Sequence, residues 1–172
     1  MRTDYVDTDT LSHLLWALTP ADKLICEVAL VTGWRVSDIL NLRTVDLREA
    51  LKKKRCSLLI TEMKTGKTSR KYLDREFVEK LLAQSGTLWV FEGRDSIYKH
   101  RTRQAVYTDI KRAAKKFGVS ANLAPHTLRK NYAVFIYKRG GLEKAQKALN
   151  HDNPLVTLLY VLSEELYKKK NG

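Results

Sequence analysis

Residues 148–162 read ALNHDNPLVTLLYVL, and the stretch sets a question for the rest of the chain. His151 follows a helix end, and Tyr160 comes nine residues later on the next helix. At about 100° per residue Leu155, Leu158, Leu159 and Leu162 fall in one apolar stripe, and Tyr160 lies more than a quarter turn from it. The stripe is expected to face the core and the tyrosine to face outward. Alone, a half-exposed aromatic calls for no explanation; the remaining polar residues of the chain supply one.

Composition narrows the partners. The 172 residues carry 32 Lys and Arg against 19 Asp and Glu, a formal net charge of +13, with the excess spread along the chain. Self-repulsion on that scale points to a polyanionic partner. The length suits one ordinary domain that needs no staple. Cys26 and Cys56 follow no metal or disulfide spacing, there is no signal peptide, and no apolar run reaches the roughly 20 residues of a membrane span. The expectation is a reduced, cytoplasmic protein without a membrane partner.

Helix signals dominate. TDTLSHLLWAL offers Thr and Asp caps ahead of apolar positions at helical spacing. TPADKLICEVALVTG has Thr19 as N-cap, Pro20 in the first turn and Gly33 as terminator. RVSDILNL predicts a short helix with Val36, Ile39 and Leu40 on one face and Arg35 and Asp38 on another. CSLLITEMKTGKTSRKYL changes period and reads as an antiparallel hairpin around KTGK. DREFVEKLLAQSG predicts a capped helix and LWVF a third short strand. RTRQAVYTDIKRAAKKFG predicts a basic helix ending at Gly118, HTLRKNYAVFIYKRGG one ending at Gly140 or Gly141, and LEKAQKALN a short one. The predicted class is mainly α with a small antiparallel β-sheet, an α+β arrangement in a single domain.

The polar residues that this folding pattern does not require are, in chain order, Arg35, Lys64, His126, Arg129, His151 and Tyr160. His126 and Arg129, three apart at a helix start, project from one face near the positive end of the helix dipole. Guanidinium and imidazole donors suit the nonbridging oxygens of a phosphodiester. A tyrosine hydroxyl among such cations can act as a nucleophile on phosphorus, because they stabilise both the phenolate and the charge that builds in the transition state. Each residue alone has a structural explanation: Arg35 as a helix-end cap, Asp38 as a dipole partner, the histidines as structural hydrogen-bonding groups, and Lys64 and Lys67 alike as turn residues. Tyr132, Tyr137 and Tyr167 are rival tyrosines.

Taken together, TGWRVSDILNL, MKTGKT, HTLRK and LNHDNPLVTLLY resemble, in order and spacing, the catalytic domain of the tyrosine recombinase, or phage integrase, family, from about residue 10 to residue 162. The resemblance implies the DNA breaking-rejoining fold. It implies that Tyr160 attacks a scissile phosphate to form a 3′-phosphotyrosyl link, that Arg35 and Arg129 clamp the nonbridging oxygens with His151 adding a hydrogen bond, and that Lys64 protonates the 5′ leaving oxygen. His126 would assist proton transfer at the tyrosine, and Asp38 would orient Arg35 or His126. The covalent link stores the bond energy, so neither a metal nor another cofactor is implied. Asn150 departs from the glycine that the family often carries there, and about a dozen residues follow Tyr160 where many relatives have a longer tail.

The function implied is site-specific DNA recombination, by integration, excision or inversion. The partners implied are double-stranded DNA with specific sites and further copies assembled on it as a tetrameric synapse. The alternatives are a noncatalytic DNA-binding protein on the integrase fold and a type IB topoisomerase. Residues 1–172 are expected to form one catalytic domain with no N-terminal core-binding domain in this chain, encoded by a bacterium or phage and associated with the nucleoid. Thr102 as N-cap places Arg103 in the first turn of the basic helix, where bases are read; Lys111, Arg112, Lys115 and Lys116 follow on it, as DNA contacts or as a solvated face. With a short, charged tail, the chain is expected to be monomeric in free solution. Arg129→Lys is expected to remove cleavage while leaving folding intact.

Overall fold

Thr19 and Gly33 bracket the most clearly marked helix of the chain. The Thr19 hydroxyl accepts the Asp22 N–H at 3.3 Å and donates to the Asp22 carboxylate at 2.7 Å. Gly33 stops the helix at φ 70. The computed structural model describes residues 3–119 and 121–171. It contains α1 (Thr8–Trp16), α2 (Pro20–Thr32), α3 (Val36–Leu40), α4 (Thr44–Leu51), β1 (Ser57–Thr61), β2 (Thr68–Tyr72), α5 (Arg75–Ala83), α6 (Arg103–Lys116), α7 (Pro125–Leu149) and α8 (Pro154–Asn171). The chain divides into two compact units, Met1–Arg35 with Val106–Gly172, and Val36–Ala105.

In the first unit α7 packs against α2 and α8. Leu24, Ile25, Val28, Leu128, Ala133 and Leu149 are buried there. Gly33 serves two purposes: its positive φ excludes most side chains, and a Cβ would sit 2.3 Å from the Tyr132 ring. α7 breaks at Gly140 and Gly141, the latter at φ 75, so two helical segments stand end to end as the sequence suggests. Asn150 caps α7 in the left-handed conformation at φ 59. Asparagine tolerates that region better than other non-glycine residues, so it can take the left-handed cap that glycine usually supplies.

In the second unit β1 and β2 form an antiparallel hairpin with Ser57 opposite Tyr72 and Thr61 opposite Thr68. α4 packs on α5 and touches β1. α4 was not legible in the sequence, although Asp46 accepts the Arg43 N–H at 3.3 Å and so marks its start. The expected third strand is not formed among the described residues: LWVF makes one isolated bridge, Arg43 to Trp89. The residues facing it end at the start of α4, which leaves no longer ladder to pair with.

The largest departure is on α8. Leu155, Leu159, Leu162 and Leu166 are 62, 60, 44 and 53% exposed. The inward face instead carries Thr157, Val161 and Glu164, with Tyr160 half-buried against Tyr132, Ala133 and Leu149. Leu155, Leu159 and Leu162 of the expected stripe therefore face outward, Leu158 is half-buried, and the tyrosine side faces the protein, largely the reverse of the sequence expectation. Polar partners explain the inversion, since Glu164 meets Lys138 at 2.5 Å and Thr157 meets His151 at 2.9 Å. The tail also exposes more apolar surface than a charged tail implies.

Candidate active site

Arg129 lies in the first turns of α7 and is 2% exposed. Its guanidinium donates to the Gly33 carbonyl, to the Leu149 carbonyl at 2.7 Å and to His151 Nε2 at 3.1 Å. These bonds tie the end of α2, the end of α7 and the turn before α8 to one side chain. Arginine only donates, so His151 Nε2 must accept, which places the ring proton on Nδ1 facing the Thr157 hydroxyl at 2.9 Å. His151 is thus held between a donor at Nε2 and a hydroxyl at Nδ1.

The Tyr160 hydroxyl lies 2.7 Å from His126 Nε2. The His126 and His151 rings meet the tyrosine ring edge-on, with centroids at 5.6 and 5.5 Å and interplanar angles of 87° and 74°. Burial raises the Tyr160 pKa above its ordinary 10.0, while the charges of Arg129 and Arg35, and hydrogen bonding from Arg129, pull it down. The phenol is consequently neutral at pH 7 and needs an acceptor for its proton, and His126 stands at the right atom. Lys130, also buried, donates to the Thr3 carbonyl and lies 6.0 Å from the tyrosine ring centre.

His126, Arg129, His151 and Tyr160 are therefore brought together, and Arg35 acts on the same phenol through its charge. The rival tyrosines have other tasks. Tyr132 packs on Gly33, Tyr137 is 39% exposed, and Tyr167 donates to Asp7 at 2.8 Å. Thr157 and the Gly33 and Leu149 carbonyls escaped the sequence reading. Only the six-residue step from His151 to Thr157 hinted at the first, and backbone acceptors leave no sequence signal.

In the second unit Lys64 is exposed in the hairpin turn, whereas Lys67 is half-buried. Asp38 is 3% exposed, and its Oδ1 accepts the Met63 N–H at 3.0 Å. On α6 the Thr102 hydroxyl accepts the Ala105 N–H at 3.1 Å, as an N-cap should. Arg103, Lys115 and Lys116 are exposed there. Lys111 is engaged with Asn122, and Arg112 pairs with Asp109 at 2.9 Å. Among the described residues, no group of His, Cys, Asp and Glu has an arrangement that could hold a metal ion, and no helix is long and apolar enough to cross a membrane.

A half-buried tyrosine between two imidazoles and a buried arginine, on a mainly helical frame with a two-stranded antiparallel sheet, defines the class of tyrosine recombinase catalytic domains. The chain belongs to the phage integrase family, whose pattern matches residues 5–165. It is 26% identical over 171 residues to a tyrosine recombinase of Thermosipho africanus, covering 92% of this chain and 56% of that protein. It is 31% identical over 150 residues to the tyrosine recombinase XerD of Ralstonia nicotianae, covering 81% and 47%. The chain thus spans about half the length of the curated relatives it matches. Its fold is similar to a lambda integrase dimer bound to a COC′ core site, with a TM-score of 0.76 at 21% identity over 94% of this chain and 60% of that one. It is also similar to XerA recombinase, with a TM-score of 0.71 at 21% identity over 98% and 64%.

Proposed function

We propose that this chain is one catalytic domain of a site-specific DNA recombinase that cuts and rejoins strands through a 3′-phosphotyrosyl intermediate. The observation that carries the proposal is the 2.7 Å approach of the Tyr160 hydroxyl to His126 Nε2 beside the Arg129–His151 pair. Tyr160 Oη attacks phosphorus and its proton passes to His126. The phosphorus–O5′ bond breaks, and the departing oxygen takes a proton from the Lys64 ammonium. Arg35 and Arg129 hold the nonbridging oxygens. Arg129 releases His151 when the phosphate arrives, and His151 then takes up a proton from water and donates from Nε2. Lys64 suits the general acid better than Lys67 because an exposed turn can reach a ligand.

Exposed Arg103, Lys115 and Lys116, with Lys111 and Arg112 after they exchange partners, contact the duplex. Similar folds named as a lambda integrase dimer on a core site, a lambda integrase tetramer on a Holliday junction and XerH on difH support duplex DNA and assembly of several copies on it. The protein works in the cytoplasm, at the nucleoid.

The test uses nicked duplexes with a randomised arm, incubated with the protein in EDTA. The short strand departs, the covalent adduct is trapped, and its DNA is sequenced. An enriched sequence joined to Tyr160 is expected. No adduct from any arm would favour a noncatalytic DNA-binding protein, and adducts without sequence enrichment, together with relaxation of a closed supercoiled plasmid, would favour a topoisomerase.

A further inference from the structure

The hairpin that carries Lys64 is fastened to α3. Asp38 Oδ1 accepts the Met63 N–H at 3.0 Å, and Asn41, one turn further along the chain, donates its amide to the Met63 sulfur at 3.0 Å and to the Ser37 carbonyl at 2.8 Å. Met63 is the residue immediately before Lys64. Within the turn, Glu62 accepts Gly66 N–H at 2.8 Å and donates its own N–H to the Lys67 carbonyl at 2.8 Å, and its buried carboxylate accepts the Thr65 hydroxyl at 2.9 Å. The turn is therefore braced by its own hydrogen bonds, and the Met63 peptide is a point where it is held to a helix. A buried carboxylate accepting a backbone N–H makes a charge-assisted bond, stronger than one between neutral groups.

From this we infer that Asp38 is a positioning residue for the leaving-group proton: it fixes the peptide from which Lys64 projects and so sets where the ammonium can reach. The inference rests on the proposed strand-cleavage chemistry. It adds to the family-based idea that Asp38 orients Arg35 or His126 a specific link from Asp38 to Lys64. Asn41 supports the same peptide through a weaker contact to sulfur. α3 follows directly on Arg35 in sequence, so one short segment bears a phosphate ligand and the anchor of the proton donor.

Two readouts separate this role from a general structural one. In the full chain without DNA, amide exchange at Met63 and Lys64 should accelerate at least tenfold in Asp38→Ala while exchange in α2 and α7 stays unchanged. Unchanged exchange at Met63 would refute the anchor whatever the protein does to DNA. On the nicked duplex selected above, Asp38→Ala should slow adduct formation by about tenfold, the scale of one lost charge-assisted bond. A 5′-bridging phosphorothiolate, whose sulfur leaves without a proton, should restore the rate of Asp38→Ala, as it should for Lys64→Ala. Equal slowing of Asp38→Ala on the oxygen and sulfur substrates, with Lys64→Ala rescued, would overturn the inference while leaving the cleavage chemistry standing. Failure of wild type on both substrates would defeat the cleavage reading instead. If Asp38→Ala does not fold, Asp38→Asn keeps an acceptor oxygen and should show the same sulfur rescue from a smaller loss; absence of rescue there would equally overturn the inference.

Discussion

The surroundings of Arg129 and of Lys64 differ in almost every physical respect. Arg129 is buried and donates to two carbonyls and an imidazole. Lys64 stands exposed on a turn whose neighbouring peptide is tied to one carboxylate. A group that must hold a phosphate gains from being fixed before the ligand arrives, because the ordering cost is then met by folding. A group that must deliver a proton to a departing oxygen gains from reach. The contrast predicts that changes around Arg129 damage stability and chemistry together, while changes around Lys64 damage chemistry alone.

The largest expected effect is at the nucleophile. Tyr160→Phe should eliminate the covalent adduct and cost no more than about 1 kcal/mol of stability, since it removes one hydrogen bond to exposed His126. Tyr167→Phe should keep the adduct and lose a similar amount of stability with its bond to Asp7. Gel assay of the adduct and urea denaturation check both, and an adduct that survives Tyr160→Phe would sink the assignment.

Arg129→Lys comes next. Cleavage should fall by about a thousandfold, as for loss of a preorganised oxyanion donor. Stability should also fall by about 2–3 kcal/mol, because lysine cannot serve both the Gly33 and Leu149 carbonyls. The burial of Arg129 thus changes the expectation that folding would be left intact, which considered only the retained charge and the lost bidentate geometry. A shift in the urea midpoint with unchanged slope would confirm it; wild-type stability would break the contrast between the two regions.

A smaller effect is expected at Thr157, which is fully buried. Thr157→Val removes the acceptor for His151 Nδ1–H at little change in volume. Arg129 still holds Nε2 as the acceptor, so the Nδ1–H is left without its partner, visible as a shift of the Nδ1 resonance, with cleavage slowed several-fold and about 1 kcal/mol of stability lost.

The smallest effect is alkaline. Tyr5, Tyr132, Tyr160 and Tyr167 all have pKa values raised above 10.0, in each case first by burial. The folded state then holds protons that the unfolded chain releases at about pH 10. The stability these groups contribute is complete below pH 10 and falls as pH rises through the higher folded values. Urea midpoints at pH 9 and 11 should show the loss, and Tyr160→Phe should show slightly less of it.

Much of this protein was legible in the amino-acid order. The Thr19 cap, the Gly33 stop, the hairpin around KTGK and the helix break at Gly140 and Gly141 depend on local backbone chemistry, which a sequence carries directly. The grouping of His126, Arg129, His151 and Tyr160 was legible through the family resemblance that their order and spacing carry. What local chemistry could not reveal is which surface each element turns toward the others. α8 has an apolar face and a mixed face, and periodicity names both without saying which one meets α7. The tertiary structure turned Thr157, Tyr160 and Glu164 inward because each finds a partner there: His151, His126 and Lys138. It left Leu155, Leu159, Leu162 and Leu166 outward. The Asp38–Met63 bond, between residues 25 apart in the chain, and the braces from Arg129 to the Gly33 and Leu149 carbonyls, 96 and 20 apart, are of the same kind. A backbone acceptor or donor is identical at every position, so only folding decides which one a distant side chain will find.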